Sequence, residues 1–404
     1  MNKRDFLKCF ALAMVSGITS ASAGAISKTS SASAGSINKK RIIVIGAGLA
    51  GLAAARELKK HGHDIVVLEA RDRIGGRIWT SDRWSDIPLD MGATWIHGVK
   101  GNPITALANE ISAKRLITSY DKTATYASKG HILSKAEESR IERLSKQVFE
   151  ILGRAQNSDT DLSIADAIKP LLQANNGSDD VISLINFILS GQIEQEYAGS
   201  INELSTHWYD GAKSFEGDDA LFAEGFEIII DYLAKGTKKI ELNQIVNEIN
   251  WQDSQVKIVT NRGEYIADQV IVTLPLGVLK TQSVRFVPDL PLQKITAIQK
   301  IGMGVLNKCY LRFSEVFWPK NIDWLEYIPS QHGRWTEWVS FKRAANQPIL
   351  LGFNAANRGR EIEALEDHEI VASAMETLKT IFGREIPDPI DYQITRWASD
   401  PFAL

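Results

Sequence analysis

Apolar positions along the chain change their period several times, and each change marks an element. Arg41-Ile42-Ile43-Val44-Ile45 is an apolar strand pattern that stops at Gly46, and the Ala-rich residues 49–61 have the period of a helix. Val66-Val67-Leu68 is a second strand and ends at Glu69. The chain then leaves this βαβ rhythm. Residues 135–152 carry helical apolar spacing, Asp161 or Ser163 can cap a helix through Leu172, and Asp179 or Asp180 can cap one through Leu189. Residues 226–234 are helical, and short strands follow at 239–242, 246–251, 256–260 and 264–267, with Asn261-Arg262-Gly263 turning between the last two. Val270-Ile271-Val272-Thr273 reads as a buried strand that stops at Pro275. Beyond it the pattern predicts a helix at 291–300, a strand at 305–313, antiparallel strands in the Trp-rich stretch 318–338, a strand at 349–353, a helix at 368–382 and a strand at 390–396. Strand-rich stretches on both sides of a helical block, without internal repeats, predict two interleaved domains that the chain crosses more than once, not a repeating βαβ array.

The beginning of the chain has another character. A short basic stretch at residues 1–8, an apolar run at 9–18 and the small-residue pattern Ala21-Ser22-Ala23 read as a signal peptide over residues 1–23. The apolar run falls short of the roughly 20 residues that a bilayer requires, so no stable membrane span is expected after processing. Lys3-Arg4-Asp5-Phe6-Leu7-Lys8 resembles the twin-arginine export motif with lysine in place of the first arginine. Export to the periplasm or the exterior is the expectation. Residues 24–38 are Ser-, Ala- and Gly-rich and read as a linker, so folding should start near Lys39. The remaining length suits two domains. A net charge of −3 argues against a nucleic-acid surface. Of two cysteines, Cys9 lies in the leader, so the mature chain keeps Cys309 alone and forms no internal disulfide. The histidines show no H-E-x-x-H spacing and two cysteines cannot build a zinc site, so no metal is expected.

Chemistry is concentrated in Gly46-Ala47-Gly48-Leu49-Ala50-Gly51, which joins the first strand to the first helix. In such a G-x-G-x-x-G turn Gly46 permits the tight exit from the strand, Gly48 lets backbone approach a pyrophosphate, and Gly51 lets helix and sheet pack closely. The helix N-terminus supplies free N–H groups and a partial positive charge to the phosphates. Glu69 lies 18 positions after Gly51, close to the spacing of a carboxylate that accepts from an adenosine ribose, which implies a free 2′-hydroxyl and disfavours NADP. Arg71 and Arg77, beside Ala70 and the pair Gly75-Gly76, are cations near the expected diphosphate, with an ordinary surface salt bridge as the weaker alternative for each.

With Glu69-Ala70-Arg71-Asp72-Arg73-Ile74-Gly75-Gly76-Arg77 in place, the chain resembles the flavin-containing amine oxidases, the family of monoamine and polyamine oxidases. Leu89-Asp90-Met91-Gly92-Ala93-Thr94-Trp95-Ile96-His97-Gly98 is similar to the segment that passes the flavin ring in the polyamine-oxidase and histone-demethylase-like branch. Residues 271–279, I-V-T-L-P-L-G-V-L, resemble the strand closing the cofactor domain, and Gly304-Val305-Leu306-Asn307-Lys308 resembles the strand with the flavin-facing lysine. Trp397-Ala398-Ser399-Asp400-Pro401-Phe402 is similar to the W-x-x-D-P-aromatic segment before the final cofactor stretch.

The resemblance implies an α/β fold in which a Rossmann-like, FAD-binding G-x-G-x-x-G domain is interleaved with a mixed α+β substrate domain. The expected segments are 39–100 and 226–283 for FAD, 101–225 and 284–396 for the helical and substrate parts, and 397–404 for the start of a C-terminal FAD segment. Because the chain ends at Leu404, that last segment is expected to be truncated, with weakened flavin binding and activity.

Site roles follow from the same likeness. Gly46, Gly48, Gly51, Glu69, Ala70, Arg71, Gly76, Arg77, Gly92, Ala93, Thr94, Val246 and Trp397 would contact FAD, Lys308 would be catalytic, and Trp95, His97 and Glu196 would meet the substrate. Taken alone, Val246 is a strand core residue, Lys308 a strand lysine whose stem can reach solvent, and Glu196 a solvated helix-end carboxylate, while a structural histidine is the weaker alternative for His97. The implied activity is oxidation of a primary or secondary amine, a polyamine among them, to an imine that water converts to an aldehyde, with O2 reduced to H2O2. The alternatives are an L-amino-acid oxidase-type flavoenzyme and an inactive flavoprotein-like binding module. Substrate and oligomeric state are not set by the sequence.

Overall fold

The computed structural model describes residues 39–176, 178–212 and 214–403; the expected signal peptide and linker lie outside them. The chain divides into two compact units, residues 39–78 with 230–298 and residues 79–229 with 299–403. It therefore crosses between units within the sequence. The first crossing comes after Ile78, earlier than the expected boundary at 100. Hydrogen bonding ties the residues that follow to the second unit: Trp95–Ile96 pairs with the strand Asp219–Phe222.

In the first unit β1 (Arg41–Ile45) and β2 (Asp64–Leu68) pair in parallel, flanked by Gln269–Val272 and Ile240–Glu241. Four of five residues in β1 and β2 are buried, which their unbroken apolar runs dictate. Gln269–Val272 differs from its expected burial: it is the sheet's edge strand, and Val272 is 37% exposed. Helix α1 (Leu49–Lys60) buries Gly51, Leu52 and Ala55, and Lys59 and Lys60 in its last turn complement the helix dipole. A second sheet has the order Gly263–Ala267, Val256–Thr260, Val246–Asn250, Arg285–Val287. Thr260 pairs with Gly263, so Asn261 and Arg262 form the two-residue turn. Ile43, Ile45, Val66 and Leu68 of the first sheet share one core with Val246, Ile249 and Ile258 of the second.

The second unit is built on a six-stranded sheet ordered Asp391–Ile394, Leu306–Arg312, Ile349–Ala355, Glu337–Ser340, Trp324–Tyr327, Thr123–Tyr126. All neighbours are antiparallel except the last pair. Side chains alternate between faces along each strand. Cys309, Leu311 and Phe313 join a core with Trp335, Trp338 and the helix Asp367–Phe382, while Tyr310 joins Leu351, Phe353 and Val339 in another. Lys308 shares the face of Tyr310 and lies opposite Phe353. The helices Lys135–Gln156 and Ile164–Ala174 start at Ser134 and Ser163, whose side chains accept from Glu137 and Asp166 N–H. The helix Asp179–Leu189 follows Ser178, which makes no side-chain cap bond, and both aspartates lie inside its first turn; it runs on into a π-turn at Ser190–Glu194.

Among the described residues no helix is long and apolar enough to cross a membrane. Gly51 sets the contact between α1 and the turn after β1, because a Cβ there would lie 1.9 Å from Gly46 O. Gly51→Ala is expected to cost about 1–3 kcal/mol, the usual range for overpacking, read as a lower urea midpoint with unchanged m-value.

Candidate active site

In the first unit the glycines divide into two kinds. Gly46 has φ +102°, and a Cβ there would meet Thr273 Oγ1 at 2.6 Å; Gly51 is confined by Gly46 O. Both are glycine for reasons internal to the protein. Gly48 is not. Its φ of −77° and ψ of −179° suit any residue, and the nearest atom to a Cβ would be Gly75 O at 3.8 Å. The remaining physical reason for glycine is close approach of a bound group. Gly48 is also the N-cap of α1, which starts without a side-chain cap and without an acidic first-turn residue, so its N–H groups and dipole suit an anion. The second glycine pair closes on this turn: Gly75 N donates to Ala47 O at 2.9 Å, and a Cβ on Gly76 would lie 3.5 Å from Gly48 Cα.

Glu69 is buried at the end of β2, where Oε2 accepts from Ala47 N–H at 2.7 Å and Oε1 from Arg71 N–H at 2.9 Å. Each oxygen keeps a second lone pair, so the carboxylate can staple the turn and still accept from a ribose hydroxyl. Ala70 and Arg71 are half-buried and Arg77 is exposed. A connection unannounced in the sequence ties Val246 to this place: Gln244 N donates to Glu69 O and Asn243 N to Arg71 O, both at 2.8 Å. Val246 itself is a buried strand residue paired with Thr260.

In the second unit most of the expected residues converge. Lys308 is 5% exposed, and its Nζ donates to Asp90 O at 2.7 Å, to Gly92 O at 2.6 Å and to Thr94 Oγ1. Those acceptors satisfy all three hydrogens of an ammonium. A neutral amine would also be satisfied, donating to the two carbonyls while accepting from the Thr94 hydroxyl. Tyr310, on the same strand face, donates to Asp90 O at 2.8 Å. Burial pulls Lys308 down to about 7, opposed by the charge of Asp90. Burial also pushes the Asp90 carboxyl up to about 6, against the hydrogen bonds that its Oδ1 accepts from Thr80 Oγ1 and Phe226 N–H.

Trp95 links Lys308 to His97. Lys308 Nζ lies 6.0 Å from the Trp95 ring centroid, and the His97 ring is 6.3 Å away at 24°. Trp324 and Phe353 pack on Trp95, whose Nε1 donates to Thr118 Oγ1 at 3.1 Å. Trp397 joins through its indole, donating to Met91 O at 3.2 Å, and through its backbone, donating to Asn307 Oδ1 at 3.1 Å. Gly92 is half-buried and Ala93 exposed beside them. Glu196 stands apart: it is exposed at the end of the π-turn, and among the described residues no hydrogen bond or ion pair shown connects it to this cluster. Its buried neighbour is Glu194, bound to His332 at 2.6 Å. Asp219, which sequence reasoning passed over, holds His97; alternation along its strand gave no sign of this pairing.

A parallel βαβ unit whose glycine turn opens a helix with uncapped N–H groups is the signature of a dinucleotide-binding protein. The family model for flavin containing amine oxidoreductases matches residues 49–404, so the chain belongs to that family, an oxidoreductase family whose cofactor is FAD. The chain is 32% identical over 381 residues to polyamine oxidase 4 of Oryza sativa subsp. japonica, covering 90% of this chain and 77% of the relative. It is 31% identical to lysine-specific histone demethylase 1 homolog 3 of the same organism, over 90% of this chain and 47% of the relative. A solved double mutant of putrescine oxidase has the same fold, with a TM-score of 0.71 at 17% identity over 90% of this chain and 86% of that one. The α/β class expected from the sequence is thus the observed one. The room at Gly48 and the lone pairs left on Glu69 fit the ADP portion of FAD.

Lys308 also gives a pH signature. Between about pH 7 and its ordinary 10.5 the unfolded chain holds the Lys308 proton and the folded chain does not, so stability contributed by this group rises with pH. The urea midpoint of wild type should therefore rise relative to that of Lys308→Met from pH 7 to pH 10. A constant difference would show that the buried amine titrates normally.

Proposed function

We propose that the protein is an FAD-dependent oxidase of small amines, with polyamines as the favoured class, releasing an aldehyde and H2O2. The convergence of Lys308, Thr94, Trp95, His97 and Trp397 in one unit carries this reading. Bound FAD supplies the two-electron oxidant for the carbon next to nitrogen and returns the electrons to O2.

The protein's own residues supply binding and order. Gly48 and the start of α1 would receive the diphosphate, Glu69 the ribose, and Arg71 and Arg77 would add charge near the phosphates. Lys308 would hold a proton at Nζ against the Asp90 and Gly92 carbonyls, with Gly92, Ala93, Thr94 and Trp397 around the flavin ring. Trp95 offers an aromatic face to a cationic or neutral amine, and His97 a ring nitrogen that can meet an N–H. The names of the rice relatives span polyamines and histone lysine, which share a secondary or substituted amine as the oxidised group.

Purified protein reconstituted with FAD and freed of unbound cofactor should retain a visible flavin absorbance band and release peroxide with spermine in preference to tyramine or leucine. Preference for leucine would turn the reading toward an amino-acid oxidase, and no flavin band at all would end it. Gly48→Ala should leave the melting temperature of the flavin-free protein unchanged while weakening FAD about tenfold, a loss of about 1.4 kcal/mol. A parallel loss of stability would mean that Gly48 serves packing alone.

A further inference from the structure

His97 is held by a residue that belongs to neither the glycine turn nor the lysine cluster. Its Nδ1 lies 3.0 Å from Asp219 Oδ2, and the other carboxylate oxygen accepts from Gly98 N–H at 2.8 Å. The Asp219 side chain is 6% exposed and the His97 side chain 53% exposed, so the pair has a buried anchor and an open head. The arrangement depends on a tight turn. Gly98 has φ +70°, and a Cβ there would lie 2.2 Å from Phe215 O, so only glycine lets the chain reverse and bring its N–H onto the same carboxylate that faces His97.

Neighbouring strands fix the carboxylate's position. Thr118 pairs with Asp219 and Ile96 with Ala220 in the three-stranded sheet, and Thr118 Oγ1 is the acceptor for Trp95 Nε1. The Trp95 ring lies beside the imidazole, with centroids 6.3 Å apart and planes at 24°. One strand pair thus orients both aromatic side chains.

An ionised carboxylate only accepts hydrogen bonds, so the ring nitrogen facing it must donate. We propose that Asp219 is a positioning residue for amine recognition: it holds the His97 proton on Nδ1, leaving Nε2 at the exposed edge of the ring as an acceptor for a substrate N–H. The proposal rests on the amine-oxidase reading above and adds a determinant of substrate recognition outside the motifs that carry it. A neutral hydroxyl or amide donor would serve Nε2 less well than a protonated amine, because hydrogen bonds from charged donors are stronger. The pair therefore favours substrates with a second, cationic nitrogen.

Asp219→Asn is the informative substitution. It keeps the side-chain volume and an oxygen for Gly98 N–H, but it turns an amide NH2 toward His97 and so calls for the opposite tautomer. In wild-type holoenzyme, nitrogen-15 NMR of labelled histidines should show His97, assigned by its loss in His97→Ala, protonated on Nδ1. In Asp219→Asn the proton should move to Nε2, KM for spermine should rise about tenfold, and kcat should change by less than twofold. In a His97→Ala background Asp219→Asn should add less than twofold to KM. An active wild type with the proton on Nε2, or with Asp219→Asn raising KM by the same factor when His97 is absent, overturns the proposal alone. A wild type that binds FAD yet oxidises none of the amines overturns the underlying reading and the proposal with it, whatever the tautomer.

Discussion

An ammonium group taken out of water must find acceptors for all its hydrogens, and this requirement organises the second unit around Lys308. Two acceptors are backbone carbonyls, of Asp90 and Gly92, and the third is the Thr94 hydroxyl. Backbone carbonyls are free to do this only where the chain is not engaged in a regular ladder, and here the Leu89–Asp90 strand has just ended. The segment from Asp90 to His97 is thus pinned to the Leu306–Arg312 strand at one place. Trp95 and His97 take their positions from that pin and from their pairing with Asp219–Phe222. A buried amine satisfied in either protonation state is well suited to a site where protons move.

Strand alternation does the rest of the sorting. Lys308 and Tyr310 face one way, with Phe353 across the ladder, and both reach Asp90 O. Cys309 and Leu311 face the other way into the core under the Asp367–Phe382 helix. A slip of one residue would exchange the lysine for an apolar side chain, so the large apolar core on the far face fixes the register that places the chemistry. Its tryptophans illustrate how composition misleads: Trp335 and Trp338 are fully buried packing residues, whereas Trp95 and Trp397 lie at the lysine cluster.

The first unit works by omission. Gly46 and Gly51 lack side chains because protein atoms occupy the space, whereas a Cβ on Gly48 would make only an ordinary contact, with Gly75 O at 3.8 Å. All three were legible as a motif, but their different reasons were not, since a motif records residue types and not what surrounds them. Glu69 was equally legible by spacing. Its service as a staple for the turn, through Ala47 and Arg71 N–H, appears only in three dimensions.

Elements with strong periodicity were readable in advance: β1, α1, β2, the Lys135–Gln156 helix and the long Asp367–Phe382 helix. The short strands Trp95–Ile96 and Arg115–Thr118 were not, because a few residues carry too little pattern to separate a strand from a loop. Among site residues, Lys308, Thr94, Trp95 and His97 came from sequence, while Asp219 did not, because an aspartate at a strand end has many uses and its partner lies 122 positions away. The amino-acid sequence by itself determined the elements, the family and the residue types available for chemistry, since these depend on local period and local spacing. Only the tertiary structure decided which groups meet: the carbonyls that hold Lys308 have no residue-type signature, and the pairing of Asp219 with His97 is a product of sheet register.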